Sequence, residues 1–576
     1  MTTPMRRQYL RIKKQYPDTI VFFRLGDFYE TFDDDAKLVA QACDIVLTSR
    51  PVGKDVRVPL AGVPYHSAEG YISRLLQAGH KVAIAEQVGE VPAKGLVDRE
   101  IVRVVTPGTL VEPALLDERR NNYLAAFVVD GNRAGFAHAD ITTGEFATTQ
   151  LGGENVHHLV VEEIERLQPA ELIACDPEVA AWDGLSSAHQ VSVPSQHRQG
   201  RREAVSRAAN IVPEEELPRE GSLERGPVVT PYDSWPFDLD TAQRALEDHF
   251  KVKTLDGFGL AAKPLAVRAA GGLLHYLAET QRATLGQLSM LRTYSTDEFM
   301  TLDPATRRNL ELTETLRRGA VQGSLLGVLD RTLTSMGGRL LRRRMNQPLL
   351  DLERLNMRLD AGEALVQATP SRTRLRGLLK EVSDLERLAS RVVQGIAQPR
   401  DLLGIQHSLQ VLPQIQDVVA EMDQGTGFSN SLAFLDPCRD ALDLIGQSIA
   451  DEPPATLSGG AIRPGFSAEL DNIVASSRDA KTWVANLEKQ ERSRTGVKSL
   501  KVGYNKVFGY YLEVTKANAE RVPEEYIRKQ TLVNAERYIT PELKEYEALI
   551  LNAQERILDL EGRIYQQVLD QLAAVA

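Results

Sequence analysis

The sequence predicts a multi-domain α/β plus all-α protein: two N-terminal α/β domains followed by a long helical lever scaffold with a small β clamp at its tip. Three observations lead there. At roughly 150 residues per domain, a chain of 576 residues makes about four domains. Short β-rich runs alternate with helical patterns as far as Trp235, after which Leu, Ala, Arg and Glu dominate and strand signals nearly vanish until about residue 499. Toward the far end Leu543, Tyr546, Ile550, Ala553, Ile557, Leu560 and Ile564 step alternately by three and four residues, the spacing of a helix–helix seam.

Residues 1–115 form the first α/β domain. Thr19 to Arg24 is apolar and β-branched enough for a strand, and Asp33 to Cys43 is a short helix opened by three acids. A turn at Gly62 to His66, an amphipathic helix from Ala68 to Ala78 and a strand from Lys81 to Ala85 follow, with a boundary at about Leu115 to Asn122.

Residues 122–240 form the second domain. Tyr123 to Val128, an Asp130-Gly131-Asn132 turn, Gly135 to Ile141 and Gly144 to Thr149 read as hairpin-linked strands. A helix from Val156 to Leu167 and a strand from Ala170 to Ala174 continue it, and residues 183–237 lack periodicity, as a long loop does.

Residues 241–470 are the helical core, 471–540 the clamp and 541–576 a returning lever helix. The helix predicted over Ser467 to Gln490 gathers Leu470, Ile473, Val474, Trp483, Val484 and Leu487 on one face. Pro541 suits the first turn of the last helix, where its missing N–H costs nothing. Between the two helices, Leu500 to Tyr504 and Gly509 to Thr515 alternate in period two and read as a hairpin turning at Asn505-Lys506.

Composition excludes several classes. Aromatics at 6% favour helical packing by Leu, Ala and Val over an aromatic-rich sandwich. Cys43, Cys175 and Cys438 are too few and too scattered for a disulfide framework or a Cys-based zinc site. No uncharged apolar run approaches the ~18 residues of a membrane span, and no cleavage signal follows the apolar Ile20 to Phe23. A cytoplasmic protein without membrane attachment is the expectation. The net charge of −11 means that a polyanion must be met by a local basic patch.

Such a patch exists. Arg492, Arg494, Lys498, Lys501, Lys506 and Lys516 stand against Glu513 alone within residues 492–518. With Asn505 and Thr515 beside them they suit phosphate contact, which needs charge and small donors and no base reading. The alternative is a strand edge kept soluble by lysine. Further along, Arg528 and Lys529 complete the candidate backbone-binding set of Lys498, Lys501, Asn505, Lys506, Arg528 and Lys529. A second signal is Gly26-Asp-Phe-Tyr-Glu: on a strand Phe28 and Tyr29 point to opposite faces, so the segment reads as one core aromatic plus a solvated Glu30, or as a Phe wedge for a weakened base step with a Glu at the base edge.

Nine collinear blocks decide how those signals are weighed. Gly26-Asp-Phe-Tyr-Glu, Ala61-Gly-Val-Pro-Tyr-His, Val104-Val-Thr-Pro-Gly-Thr, Thr143-Gly-Glu-Phe and Leu255-Asp-Gly-Phe-Gly are five of them. The others begin at Leu302, Met336, Leu500 and Asn534 (Asn-Ala-Glu-Arg-Tyr-Ile-Thr-Pro-Glu-Leu-Lys). Together they resemble the MutS family of DNA mismatch-repair proteins over residues 20–548. The resemblance implies a dimeric clamp around DNA built from mismatch-binding, connector, lever, clamp and P-loop ATPase domains, with a ribonuclease-H-like connector. It implies Phe28 as the wedge stacked at the mispair, Glu30 as the hydrogen-bonding partner of the mispaired base, and a hairpin gripping the DNA backbone. The implied partners are double-stranded DNA with mispairs or small loops, a second copy of the chain and a MutL-type repair protein.

Two departures from the family matter. Arg344 stands where the family usually has an aromatic residue, and no Gly-x-x-x-x-Gly-Lys-Ser/Thr occurs. No cofactor site and no catalytic residue are therefore expected in these residues, ATP and magnesium belonging to the full-length family, and the chain reads as a part that stops before the ATPase domain. Two other functions remain to be weighed: a nuclease using the middle domain, for which Asp130 and Asp140 are the available carboxylates, and a lever protein binding DNA without mispair preference. His138, His157 and His158 lack the partners of a metal site. Arg339, Arg342, Arg343 and Arg344 share one helical segment and suit a salt-bridged junction.

Overall fold

The run Thr-Ile-Val-Phe-Phe at residues 19–23 is buried throughout, the pattern of a central strand covered on both faces. In the computed structural model, which describes residues 3–53, 56–88, 97–174, 227–282, 285–422, 435–505 and 509–575, it is strand β1 (Thr19–Leu25). With β2 (Phe28–Phe32), β3 (Thr48–Gly53), β4 (Val56–Pro64), β5 (Lys81–Val88) and β6 (Asp98–Val105) it forms a sheet ordered β3-β4-β2-β1-β5-β6, parallel only between β1 and β5. Helices α2 (Asp33–Cys43) and α3 (Ala68–Gln77) cover one face through Phe22, Tyr29, Val39, Ile72 and Leu75. Helix α1 (Pro4–Gln15) covers the other through Tyr9 and Ile12, which meet Val21, Phe23 and Phe32. The turn expected at Gly62 to His66 begins later: Gly62 to Pro64 stay in β4, paired with Phe28 to Glu30, and the chain leaves the sheet at Tyr65.

A second sheet follows, ordered β11-β10-β7-β8-β9-β12: β7 (Leu124–Asp130), β8 (Arg133–Asp140), β9 (Glu145–Gly152), β10 (Glu171–Ala174), β11 (Val228–Pro231) and β12 (Arg292–Thr293). The meander β7-β8-β9 is antiparallel, while β10, β11 and β12 join in parallel. Helix α4 (Val156–Leu167) packs on one face. The helices Leu239–Phe250 and Pro264–Gln281 pack on the other, their Leu246, Leu273 and Leu277 sharing a core with Leu124, Ala126 and Ile173. Gly135 makes that fit: a Cβ there would lie 1.9 Å from the Leu265 carbonyl oxygen. The division expected at residue 240 therefore runs through a hydrophobic core. Residues 183–237 are also not one loop, because β11 and a 3₁₀ turn at Trp235–Phe237 lie within them; residues 175–226, with Cys175, lie outside the described residues.

By its packing the chain separates into two units, Met1–Gln394 with Gln414–Leu435, and Gly395–Pro413 with Asp436–Ala576. The first also contains the helices Ser335–Asn346, Leu352–Gln367, Thr369–Leu379 and Leu385–Val393. Arg339, its side chain only 3% exposed, bonds Asp384 and Glu386 at 2.6 Å and the Glu118 carbonyl at 2.8 Å, the junction role expected for that arginine segment.

The second unit is built on the long helices Ala468–Thr495 and Pro541–Ala573, roughly 42 and 50 Å at 1.5 Å per residue. Ser467 caps the first, Thr540 caps the second with Pro541 at its first position, and Gly496 in the left-handed region (φ 69°) ends the first. Between them in sequence lies a sheet ordered β13-β14-β16-β15, with β13 (Lys501–Asn505), β14 (Gly509–Thr515), β15 (Ile527–Thr531) and β16 (Ala535–Ile539) all antiparallel. The expected hairpin is half of this four-stranded sheet. Of the expected helix faces, Leu543, Ile550, Leu560 and Ile564 are buried and Ile557 partly so, whereas Val474 is exposed. Trp483 and Tyr546 join the two helices in a parallel stack, 3.8 Å between centroids.

Candidate nucleic-acid interface

In the first sheet, alternation along β2 sorts Phe28, Tyr29 and Glu30. Tyr29 turns inward, 8% exposed, packs on Phe22 and donates its hydroxyl to Glu86. Burial and the Glu86 carboxylate raise its pKa well above the usual phenol value. Phe28 and Glu30 share the opposite face with Phe32. Phe32 lies wholly under α1, Glu30 is half-buried, and Phe28 emerges with 46% of its surface exposed. Leu25, across from Phe28 on β1, is half-buried, so the ring projects from an apolar base.

On β4, Pro64 lies opposite Phe28 and Gly62 opposite Glu30. A Cβ at Gly62 would sit 3.7 Å from the Phe28 ring and 3.9 Å from the Glu30 side chain, so the glycine keeps the ground beside both residues low. Glu30 is not solvated alone, as the plainer sequence reading has it. Arg50 of β3 reaches over β4, and its Nη1 donates to Glu30 Oε2 at 2.5 Å. Arg50 was missed from the sequence because the pairing depends on the strand order β3-β4-β2.

In the second unit, carboxylates fasten the sheet to both helices. Glu488 of the first helix accepts from the Val502 N–H at 3.0 Å, and Glu547 of the second from the Tyr510 N–H at 2.9 Å. Gly509 passes so close to Glu547 that a Cβ would collide with its carboxylate. Gly503 likewise lies under the Tyr511 ring, whose outer face carries the Arg537 guanidinium 4.2 Å from the centroid.

This frame divides the basic residues. Arg492 is held by Glu488 and the Leu500 carbonyl, and Arg494 by Glu491 and Glu525, so two of the six cations in the island serve the fold. Lys498, Lys501 and Lys529 are exposed and carry no ion pair among the described residues. Arg528 is exposed with Glu536 at 3.3 Å. Asn505 closes β13 half-buried, and Lys506 lies outside the described residues. Tyr504, 53% exposed and 5.0 Å from the Tyr510 ring, adds an aromatic surface beside Asn505; the period-two pattern was its only signal in the sequence.

In the second sheet the acid and histidine candidates Asp140 and His138 are engaged in the fold. Asp140 is wholly buried and both its carboxylate oxygens are occupied: one by the Thr142 N–H and hydroxyl at 2.9 and 2.6 Å, the other by Asn121 and the Asn122 N–H at 2.9 and 3.2 Å. It shapes the turn after β8. His138 is buried 3.9 Å from Glu145, and burial lowers its pKa. Among the described residues no group of three or more His, Cys, Asp and Glu side chains is placed to hold a metal ion, and no helix is long and apolar enough to cross a membrane.

Comparison with known families matches MutS domain I to residues 3–114, MutS domain II to 122–199 and 204–289, and MutS domain III to 305–576. Among curated proteins, the DNA mismatch repair protein MutS of Symbiobacterium thermophilum is 48% identical over 579 residues, covering 99% of this chain and 62% of the relative. Those of Halothermothrix orenii and Dehalococcoides mccartyi are each 44% identical, again over 99% of this chain and over 59% and 62% of theirs. The chain thus spans about three fifths of the length of these relatives.

Proposed function

The chain belongs to the MutS family of DNA mismatch-repair proteins, and on that premise we propose that it recognises mispaired or small-looped double-stranded DNA. The observation that carries the reading is the separation on β2: Tyr29 is spent on the core while Phe28, 46% exposed, stands on the same face as Glu30. An exposed aromatic on a rigid strand can enter a weakened base step and stack, paying little conformational entropy. Glu30 then meets a base edge, with Arg50 neutralising it until it does. Lys498, Lys501, Asn505, Lys506, Arg528 and Lys529 supply non-specific phosphate contacts that hold the duplex.

Coupling to ATP and magnesium, homodimer formation and a MutL-type partner belong to this proposal as properties of the longer family proteins in a bacterial cytoplasm. These 576 residues act as the DNA-recognising part and not as an enzyme. Fluorescence anisotropy with matched, G·T and one-base-loop duplexes at one salt concentration tests the reading. Tighter binding of the irregular duplexes supports it, and equal affinity for all three by folded protein overturns it.

A further inference from the structure

Beyond the end of α4, the helix Pro304–Asn309, the loop after it and the end of the helix Ser335–Asn346 enclose an open cleft of about 300 Å³. Through the shared residues Gln168 and Asn346 it adjoins a hollow of about 40 Å³ beside the second sheet, both within the first unit. Arg307, Arg308, Arg317 and Arg318 line the cleft, against Glu165 and Glu314. The hollow adds Arg120, Arg292, Arg342 and Arg343, against Glu145. Arg166 and Arg339 also line it but are bound to Glu163 and to Asp384 with Glu386.

Structure accounts for part of this charge. Arg307 donates to the carbonyls of Leu302 and Asn346, closing the end of the latter's helix, Arg120 donates to Gln168, and Arg343 lies 3.6 Å from Glu145. It does not account for Arg342. That side chain is 13% exposed, its Nε and Nη1 have no hydrogen-bond partner, and its nearest carboxylate, Glu314, is 3.9 Å away and equally far from Arg120. Arg307 Nη1 is also buried without a partner. Of the residues lining the cleft, Arg308, Arg317 and Arg318 are exposed and carry no ion pair among the described residues. Burial first, and then the Arg120 charge, lower the pKa of Arg342 against the opposing pull of Glu314, Asp117 and Asp330, so its cation is only partly compensated.

We propose that this cleft binds a compact phosphate-bearing anion, a di- or triphosphate group, on Arg307, Arg308, Arg317 and Arg318, with Arg342 in the adjoining hollow adding to the positive charge. Guanidinium forks match phosphate oxygens two at a time, and such charge-assisted bonds are the strong ones. The volume is at the lower end of small-ligand sites, enough for a polyphosphate chain, free or attached to a nucleoside. The cleft uses neither Phe28 nor the basic hairpin, so the site stands or falls apart from mispair recognition.

Isothermal titration of the whole chain with inorganic tripolyphosphate, at fixed ionic strength and with sodium chloride as control, tests it. One saturable site is expected, weakened at least about tenfold by Arg317→Gln with Arg318→Gln, which removes two charge-assisted bonds. Those residues are exposed, so an unchanged thermal midpoint certifies the fold; Arg342→Gln is the second, buried probe. Competition by a nucleoside triphosphate identifies a nucleotide as the source, and its failure identifies the inorganic anion. No saturable binding of tripolyphosphate, or binding indifferent to the double substitution, overturns the proposal.

Discussion

Glu30 of β2 and Arg50 of β3 are joined across the intervening strand β4 by a 2.5 Å hydrogen bond. The pair neutralises a carboxylate that would otherwise repel phosphate, beside the exposed Phe28 ring. Half-exposed pairs of this kind contribute about 0–1 kcal/mol to stability, so Arg50→Ala should leave the fold intact. It should weaken binding of matched duplex by about two- to fivefold, through the unmasked charge. Mispaired duplex should lose less, because the freed Glu30 can turn to a base edge. The ratio of the two affinities therefore rises; a fall in that ratio would show that Arg50 positions Glu30 for recognition.

Phe28→Ala should abolish preference for mispaired DNA while general affinity stays. Stacking on an aromatic ring is worth about 1–3 kcal/mol per base, a factor of roughly 5–150, whereas phosphate contacts supply the affinity common to every duplex. Because the ring is 46% exposed, the thermal midpoint should hardly move. Competition between matched and G·T duplexes reads the effect, and an unchanged ratio removes the wedge.

Reversing Lys498, Lys501 and Lys506 to Glu together should weaken matched and mispaired binding alike. Each DNA phosphate that the protein no longer neutralises lowers the log–log salt slope by about 0.9. Lys498 and Lys501 are exposed, so the effect is read on DNA and not on folding. An unchanged slope across a salt series would make the hairpin a solvated sheet edge.

Much of this architecture was legible where local chemistry and tertiary packing agree. The helix Asp33–Cys43 announces itself by three acids in its first turn and a buried Ala36-Val39-Cys43 stripe. The hairpin Lys501–Thr515 shows its period of two. Strand β15 could not be read, since Ile-Arg-Lys-Gln-Thr is almost wholly exposed and has no apolar alternation to detect. Strand β11 was hidden because its four residues pair with β10, more than fifty positions earlier. The core across residue 240 depends on the close approach of Gly135 to Leu265, which no periodicity encodes. At the site, alternation separated Phe28 from Tyr29, but the Arg50–Glu30 bond needs the strand order.

Glu561 makes a strong stability prediction. Its Oε1 accepts from the N–H groups of Gly460, Ala461 and Ile462 at 2.8, 2.6 and 3.0 Å, and the residue is 2% exposed. Glu561→Ala leaves those donors without an acceptor, two of them on buried residues, and should cost about 3 kcal/mol at 1–3 kcal/mol per unsatisfied group. Glu561→Gln keeps a carbonyl oxygen and should cost about 1 kcal/mol. Urea unfolding measures both, and two variants within experimental error of the parent would remove the carboxylate from the account of the fold.

That same loop bears on ATP. Hydrolysis of a nucleoside triphosphate by a P-loop needs a ring of backbone N–H groups around the phosphates, a Lys on the β- and γ-phosphates and a hydroxyl on magnesium. The 576 residues contain no Gly-x-x-x-x-Gly-Lys-Ser/Thr. The consecutive amides of Gly460, Ala461 and Ile462 do converge on one point, but the Glu561 side chain already fills it, and a phosphate would have to expel a buried carboxyl oxygen that accepts three hydrogen bonds. The arginine cleft can hold phosphate oxygens, yet guanidinium groups cannot coordinate magnesium or take a proton from water. We therefore expect this chain to release no phosphate from ATP in the presence of magnesium, with or without mispaired DNA, even where a triphosphate binds at the arginines. A coupled phosphate-release assay decides it: turnover above a heat-inactivated control, retained after Arg317→Gln with Arg318→Gln, would reveal a catalytic nucleotide site elsewhere in these residues.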